Sequence, residues 1–361
     1  MLLNKYFRFL LAVLVLHTNA NGQMDYHFPD SITLKPRQLR IMFYNVENYF
    51  DTLNDSVKND DEFLPDQGKY WTKGRYYNKQ KHISQVVVGI GGWNPPEIIG
   101  LCEIENHRVL SGLIQYAPLK NLNYKIIHKE SPDKRGIDVA LLYQKKKFLP
   151  ISYHAIEIHY PFSQSTTRDI LYVKGQTRQK DTLHIFVNHW PSRWGGQLET
   201  ERKRMFVASV LKNMVDSIFK TNAQANIIIM GDLNDYPENK SISQVLKAKS
   251  SFNNIQNKRL YNLSVYLQDV KHIGSHKHEG KWATLDQFIV SGALLSGINT
   301  TYTSVDDVHI YNAGFLLEPD ENYSGYTTNR TYIGYKYHGG YSDHLPTFLD
   351  LHSKKEINKQ N

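Results

Sequence analysis

The sequence predicts an α/β fold class, and two features of its apolar pattern carry that prediction. Apolar runs of strand length alternate with amphipathic helical segments over residues 40–117, which is the order typical of α/β proteins. Strand-like runs then follow one another without an intervening helix over residues 124–189, which predicts antiparallel strands. A chain of 361 residues could form one large sandwich or two domains.

Helices are predicted where apolar residues recur three and four positions apart. This spacing occurs over residues 83–90, where Gly91 and Gly92 end the helix, and again over residues 110–117 and 207–218. The predicted strands are the β-rich or apolar runs at residues 40–44, 97–106, 124–129, 138–143, 151–159, 170–175, 183–189, 226–230, 286–290 and 345–351.

Residues 226–235 (NIIIMGDLND) are the first indication of a functional site. A continuous apolar run ends at Gly231, which predicts a strand buried on both faces. The glycine lets the backbone turn tightly or approach a ligand closely. Asp232, Asn234 and Asp235 follow, so we expect their side chains at the carboxyl edge of a sheet, where ligand sites gather. They suit either a turn cap or a site that holds a metal ion or water.

The N-terminal segment predicts an exported protein. Residues 1–22 resemble a secretory signal peptide, and residues 23–37 form a polar linker. The folded domain is predicted over residues 38–351, and a charged, disordered tail over residues 352–361. We expect a periplasmic or secreted monomer without stable membrane insertion, and a retained N-terminal anchor is the alternative.

Charge and cysteine content narrow the partners and the chemistry. The formal net charge of +8 favours phosphates, nucleic acid or anionic surfaces. The single cysteine, Cys102, excludes an intrachain disulfide. Because it lies inside an apolar run, we expect a buried structural thiol rather than a nucleophile.

Polar residues suited to metal binding or acid–base chemistry lie next to many of the predicted strands. Any one of them alone is more often structural than catalytic, as a turn cap, a solvated strand end or a surface histidine. Together they favour Mg²⁺ or Mn²⁺, because oxygen ligands dominate and no second cysteine is present for zinc. The residues are Asn45, Glu47, Glu103, His189, Asp232, Asn234, Asp286, Asp343 and His344.

Six short motifs contain these residues, and they are spread along almost all of the chain after the signal. They are YNVEN at Asn45, LCEIEN at Glu103, NHWPSR at His189, GDLND at Asp232, LDQFIVS at Asp286 and YSDHLPTF at Asp343. These motifs, and the order in which they occur, make the chain resemble the endonuclease/exonuclease/phosphatase superfamily. That superfamily includes DNase I, AP endonucleases, inositol polyphosphate 5-phosphatases and bacterial sphingomyelinases. The resemblance implies a four-layer sandwich, in which two mixed β-sheets pack face to face and are flanked by helices.

The resemblance also implies metal-dependent hydrolysis of a phosphoester. Glu103 would be the main metal ligand, with Asn45, Glu47 and Asp343 close to the ion. Mg²⁺ or Mn²⁺ would offset the negative charge that grows on an already anionic phosphodiester during attack.

The remaining residues take roles in hydrolysis by the same resemblance. Asp232 would activate or position the attacking water, and Asn234 would hold Asp232 or the phosphate. His344, oriented by Asp286, would stabilise the pentavalent transition state. His189 would hydrogen-bond a phosphate oxygen.

Three arginines are candidates for contact with the substrate phosphate, namely Arg168, Arg193 and Arg135. Each is explained equally well as a solvated surface charge. Tyrosines of the long loop predicted over residues 302–341 could stack on bases, although we expect most of them to pack that loop against the sandwich. A second long surface loop is predicted over residues 51–73.

The sequence supports one function above two others. The first hypothesis is an exported Mg²⁺-dependent endonuclease that acts on DNA or RNA. The second is a phosphodiesterase or phosphatase of the same fold that acts on lipid headgroups or soluble phosphoesters. The third is a catalytically silent binding protein, against which the intact set of acidic and histidine residues argues.

Overall fold

A computed structural model describes residues 39–92 and 94–354 of the chain. The helices are α1 (Lys73–Gly91), α2 (His107–Gln115), α3 (Gln197–Thr221), α4 (Ser264–Asp269) and α5 (Gly292–Ser296). The first strands are β1 (Leu39–Tyr49), β2 (Ile98–Ile104), β3 (Tyr124–His128), β4 (Asp138–Gln144), β5 (Phe148–Ile156), β6 (Ile170–Thr177), β7 (Thr182–His189) and β8 (Asn226–Asp232). The later strands are β9 (Leu260–Asn262), β10 (His276–His278), β11 (Lys281–Ala283), β12 (Asp286–Ser291), β13 (Thr301–Tyr302), β14 (Val308–Ile310), β15 (Leu317–Pro319), β16 (Tyr326–Thr328), β17 (Tyr332–Ile333), β18 (Lys336–Tyr337) and β19 (Thr347–Ser353).

Two mixed β-sheets form the centre of the fold. The first has seven strands in the order β13-β19-β1-β2-β4-β3, with β14 also paired to β19. The second has six strands in the order β5-β6-β7-β8-β12-β9. Each sheet contains one parallel pair, β1–β2 in the first and β7–β8 in the second, among antiparallel neighbours.

The two sheets pack face to face and are flanked by helices. Ile228 and Met230 of β8 lie in the main core with residues of the first sheet. The alternate residues Ile227 and Ile229 point to the opposite face, where they pack in a second core with Val207 of α3. Helices α1 and α2 pack on the first sheet. This arrangement confirms the predicted four-layer sandwich.

Several predicted boundaries shift in the structure. The strand predicted over residues 40–44 continues to Tyr49, and the one predicted over residues 151–159 begins at Phe148. Strand β19 runs to Ser353, so the first residues of the predicted tail belong to the sheet. The predicted signal peptide and linker lie outside the described residues and stay predictions. Within the described part of the chain, no helix has the length and apolarity needed to cross a membrane.

The two predicted long loops pack against each other. Phe63 and Trp71 of the first loop are buried with Tyr332 of the second in a separate aromatic cluster. Packing therefore accounts for this tyrosine, as expected, whereas Tyr335 is 68% exposed. Cys102 is fully buried, and burial raises the pKa of its thiol well above the usual value, as a structural role requires.

Gly231 is required by the neighbouring strand, and it lies within a strand rather than in a turn. It lies within β8, and a Cβ atom there would stand 2.4 Å from the main-chain oxygen of Asn188. We expect Gly231→Ala to lower the free energy of unfolding by roughly 1–3 kcal/mol, because one of the two strands must move.

Urea denaturation measures this loss of stability. Gly74→Ala in α1 is the matched control, because the nearest atom to a Cβ there is 3.7 Å away. Alanine in a helix is expected to be more stable than glycine by roughly 0.5–1 kcal/mol. Equal stability of Gly231→Ala and the wild-type protein would contradict the packing explanation.

Candidate active site

The ends of the central strands bring most of the predicted residues to one edge of the sandwich. Asn45 and Glu103 lie near the carboxyl ends of the parallel pair β1–β2, and His189 and Asp232 are paired at the ends of β7 and β8. Asp286 begins β12 opposite Asp232 in antiparallel register. The two sheets meet at this edge, where Asn45 Nδ2 donates to Asp232 Oδ2 at 3.1 Å.

Two irregularities in strand pairing aim acidic residues at this edge. The pairing register shifts in β1 around Glu47 and in β2 at Glu103. Glu47 and Glu103 have φ angles of 51° and 62°, in the left-handed region that non-glycine residues seldom adopt. Bulges redirect side chains, and local backbone strain of this kind clusters at functional sites.

Asp232 is buried at the centre of the site and is held through both oxygens. Its Oδ2 accepts from Asn45, and its Oδ1 accepts from the main-chain N–H of Asn234 at 3.0 Å. Asn234 Nδ2 in turn donates to the main-chain oxygen of Trp190 at 3.0 Å. Burial raises the pKa of Asp232 to about 7, although the charge of His344 opposes this rise. The hydrogen bonds therefore orient the Asp232 carboxylate, and its raised pKa lets it exchange a proton near neutral pH.

His344 forms a buried pair with Asp286. Its Nδ1 donates to Asp286 Oδ2 at 2.6 Å, and its Nε2 lies 3.8 Å from Asp232 Oδ2. Burial alone would lower the pKa of His344, but the charges of Asp286 and Asp232 outweigh burial and raise the pKa well above its usual value. The imidazole is therefore cationic at neutral pH.

His189 lies close to the same carboxylates in the opposite protonation state. Its Nε2 is 3.7 Å from Asp232 Oδ2 and 3.9 Å from Glu103 Oε1. Burial, followed by the positive charges of Arg168 and Arg135, lowers the pKa of His189 well below its usual value. A neutral imidazole keeps one N–H, which can donate a hydrogen bond to a phosphate oxygen.

Two of the arginines predicted to contact phosphate already donate to acceptors of the protein, and their contact with phosphate stays a prediction. Arg168 is buried and donates to Asp133 Oδ2 at 3.1 Å and to the main-chain oxygen of Trp190 at 2.6 Å. Arg193 Nε donates to the main-chain oxygen of Asn234 at 2.8 Å. Arg193 therefore holds the loop that carries Asn234, and Arg168 holds Trp190, whose main-chain oxygen accepts from Asn234.

Arg135 remains the exposed candidate among these three. Its side chain is 52% exposed, and its Nε lies 3.4 Å from Asp133 Oδ1. Its charge contributes to the low pKa of His189, so it acts electrostatically on the site. Contact between Arg135 and phosphate stays a prediction.

Lys79 is a buried cation that the sequence analysis missed. Its Nζ donates to Thr331 Oγ1 and to the main-chain oxygen of Tyr341, each at 2.5 Å. Burial lowers the pKa of Lys79 to about 8, against the attraction of Glu47. The sequence contained an indication of this burial, because Lys79 lies four residues before Ile83 and so on the same apolar face of α1.

His276 was also missed, and its ring packs against His344 with centroids 4.7 Å apart. Burial and the charge of His344 lower the pKa of His276 to about 4, so this neighbour is neutral. It lies ten residues before Asp286, and no spacing rule connects the two positions.

Arg330 is the third missed residue and lies between two carboxylates of the predicted metal set. Its Nε donates to Glu47 Oε1 at 3.1 Å, and its Nη2 donates to Asp343 Oδ2 at 3.0 Å. Burial would raise the pKa of Asp343, but Arg330 and then His344 outweigh burial and lower it to about 2. Asp343 is therefore ionised at neutral pH.

The donor chemistry at this edge fits a hard divalent cation. Glu47 and Asp343 are joined through Arg330, and Glu103 Oε1 accepts from Asn45 Nδ2 at 3.3 Å. The Asp343 and Glu103 side chains are 21% and 17% exposed, so both are open to solvent. Carboxylate and amide oxygens are the ligands that Mg²⁺ and Mn²⁺ prefer.

A four-layer sandwich with carboxylates and a cationic histidine at one sheet edge defines a class of metal-dependent phosphoesterases. The chain belongs to the Endonuclease/Exonuclease/phosphatase family, whose model matches residues 40–353. Members of this superfamily hydrolyse phosphoesters with divalent metals. No curated protein sequence matches the chain significantly.

Solved structures share the fold at low sequence identity. D. rerio TDP2 humanized by 14 mutations is 13% identical with a TM-score of 0.54, covering 87% of this chain and 99% of its own. The human Nocturnin catalytic domain with bound sulfate is 14% identical with a TM-score of 0.51, covering 89% and 97%. D. rerio TDP2 complexed with a single-strand DNA product is 14% identical with a TM-score of 0.51, covering 87% and 99%.

Proposed function

We propose that the protein is an exported, Mg²⁺-dependent endonuclease that hydrolyses phosphodiester bonds in DNA or RNA. The observation that carries the proposal is the buried His344–Asp286 pair beside Asp232, at an edge that also holds Glu47, Glu103 and Asp343. This arrangement places a cation and a proton acceptor on one reacting centre.

Each buried residue of the site has a defined task in hydrolysis. Asp232 accepts the proton of the attacking water, because its two oxygens are oriented by Asn45 and Asn234. His344, held by Asp286, stabilises the negative charge that develops on the phosphoryl oxygens.

Two further elements complete the reaction centre. His189, as a neutral imidazole, hydrogen-bonds a phosphate oxygen. Glu103, Glu47 and Asp343, with Asn45, would hold Mg²⁺. When bound, this ion supplies Lewis-acid stabilisation of the phosphoryl charge.

Three observations favour nucleic acid as the substrate. The net charge of +8 attracts a polyanion. One structural neighbour, D. rerio TDP2, carries a single-strand DNA product. Trp194 is 90% exposed and directly follows Arg193, whose side chain bonds the main chain of Asn234. An exposed indole at the rim of the site provides a stacking surface for a base.

We expect Trp194→Ala to raise KM for single-stranded DNA roughly 5- to 100-fold, because base–aromatic stacking contributes about 1–3 kcal/mol per base. KM for bis-p-nitrophenyl phosphate is expected to change little, because Trp194 lies outside the reacting residues. The matched control is Tyr153→Ala, which removes another exposed aromatic side chain (57% exposed), on the edge strand β5.

Steady-state kinetics on both substrates measures the effect. Unchanged KM for DNA would remove the stacking role. A loss confined to vesicles that contain phosphodiester lipids would instead favour the lipid-directed alternative, because exposed tryptophan also partitions into membrane interfaces.

Export is the part of the proposal that rests on residues 1–22 alone. Fusion of these residues to a periplasmically active reporter tests it. Reporter activity outside the cytoplasm, lost when the positive head is replaced by acidic residues, supports export. Reporter retained inside the cell would contradict it.

A further inference from the structure

The guanidinium of Arg330 is fixed at the carboxylate edge of the site with part of its donor capacity unused. Nε donates to Glu47 Oε1 at 3.1 Å, and Nη2 lies 3.1 Å from Glu47 Oε1 and 3.0 Å from Asp343 Oδ2. No acceptor bonds Nη1 within residues 39–92 and 94–354. The side chain is 40% exposed, so this free end is accessible from solvent.

The main chain around Arg330 is held as firmly as its side chain. The N–H of Thr331 donates to Glu47 Oε2 at 2.6 Å, and the main-chain oxygen of Arg330 accepts from Gly340 at 3.1 Å. Thr331 Oγ1 also accepts from the buried ammonium of Lys79. These contacts fix the direction of the guanidinium, so little conformational entropy is lost when it binds a further group.

Electrostatics indicates which group Nη1 would bind. Glu47, Glu103 and Asp343 bring negative charge to the position that an anionic phosphodiester must approach. A fixed guanidinium beside them offsets this repulsion, and its N–H donors match the geometry of phosphate oxygens.

The other arginines considered for this role are less suited to it. Arg168 and Arg193 use their guanidinium groups on main-chain and side-chain acceptors of the protein. Arg135 contacts Asp133, and its charge lowers the pKa of His189. Among these arginines, Arg330 alone contacts the carboxylates of the site.

We propose that Arg330 is a catalytic residue that binds a non-bridging oxygen of the scissile phosphate through Nη1, while Glu47 and Asp343 hold its Nε and Nη2. This inference rests on the proposed function and deepens it. The competing explanation is that Arg330 serves only as a counter-charge that positions Glu47 and Asp343 for the metal.

The two explanations differ in what happens to metal and to phosphate when the guanidinium is removed. The variants are Arg330→Gln and Arg330→Lys. The control is Arg178→Gln, which replaces an exposed arginine in the turn between β6 and β7, at the end of β7 opposite to His189. Mn²⁺ affinity is measured by electron paramagnetic resonance. Affinity for inorganic phosphate is measured by calorimetry on the Mn²⁺-saturated protein.

We expect Arg330→Gln to weaken phosphate binding roughly 10- to 100-fold, because a charge-assisted hydrogen bond is lost. Mn²⁺ affinity should stay the same or increase, since a competing positive charge has gone. Arg330→Lys should recover part of the phosphate affinity, and it also serves as the test if the glutamine variant does not fold. Arg178→Gln should match the wild-type protein in both measurements.

Two results would overturn the inference. One is unchanged phosphate affinity in Arg330→Gln. The other is a loss of Mn²⁺ affinity that alone accounts for any weaker phosphate binding, which would assign Arg330 to positioning. Failure of the proposed function is a separate outcome, in which the wild-type protein cuts no phosphodiester while the comparison of phosphate binding still tests Arg330.

Discussion

His344→Ala is expected to lower kcat for phosphodiester hydrolysis roughly 10³-fold, with a smaller change in KM. His344 is the buried cation of the site, held by Asp286 at 2.6 Å and placed 3.8 Å from Asp232. In the proposed mechanism its charge acts on the transition state, where negative charge on the phosphoryl oxygens is greatest. Removal should therefore affect the chemical step more than binding.

The matched control for this variant is His159→Ala, because the His159 side chain is 77% exposed and its Nε2 lies 3.0 Å from Glu157 Oε2, outside the candidate site. Steady-state kinetics on bis-p-nitrophenyl phosphate separates kcat from KM. Equal losses in the two histidine variants, or a loss in KM alone, would contradict the assigned role of His344.

Glu103→Gln is expected to weaken metal binding by at least about 10²-fold, because even outer-shell partners of a metal site contribute roughly 10- to 100-fold. Glu103 lies at the bulge of β2 with a φ of 62°, and its Oε2 accepts from the main-chain N–H of Asn48 at 3.0 Å. Glutamine keeps the size of the side chain and removes the charge. Activity should return in part at high Mg²⁺ concentration.

Mn²⁺ titration followed by electron paramagnetic resonance measures this affinity directly. Glu157→Gln is the control, since the Glu157 side chain is 52% exposed and does not belong to the proposed metal set. Wild-type Mn²⁺ affinity in Glu103→Gln would show that the metal is held elsewhere.

The site residues on strand ends were predictable because local pattern fixes their position. Asp232 follows a buried apolar run, and such a run must end at a sheet edge. The same logic placed Glu103 near the end of β2 and His189 at the end of β7. The resemblance of the motifs to the family then implied a role for each residue. These roles stay predictions.

The charged partners of these residues were not predictable in the same way. Arg330 contacts Glu47 of β1 across 283 positions of sequence, and no periodic pattern links a strand to so distant a loop. Arg168 and Arg193 were predicted to contact phosphate, because a sequence does not show which acceptors of the protein a guanidinium will bind. Their main-chain acceptors, the oxygens of Trp190 and Asn234, exist only in the folded loops.

Gly231 shows a similar limit at the level of packing. Its place before Asp232 favoured a tight turn or a ligand contact, whereas the structure requires glycine because the main chain of Asn188 lies 2.4 Å from where a Cβ would stand. The proximity of β7 and β8 sets this requirement, and a single strand pattern does not contain it.

Cleavage of plasmid DNA by the protein, with Mg²⁺ or with EDTA, tests the proposed function most directly when the wild-type protein is compared with Asp232→Asn. Asp216→Asn on the surface of α3 is the control. The proposed mechanism predicts cutting by the wild-type and control proteins with Mg²⁺ only, and a loss of roughly 10²- to 10⁴-fold in Asp232→Asn. Cutting in EDTA, or full activity of Asp232→Asn, would contradict it.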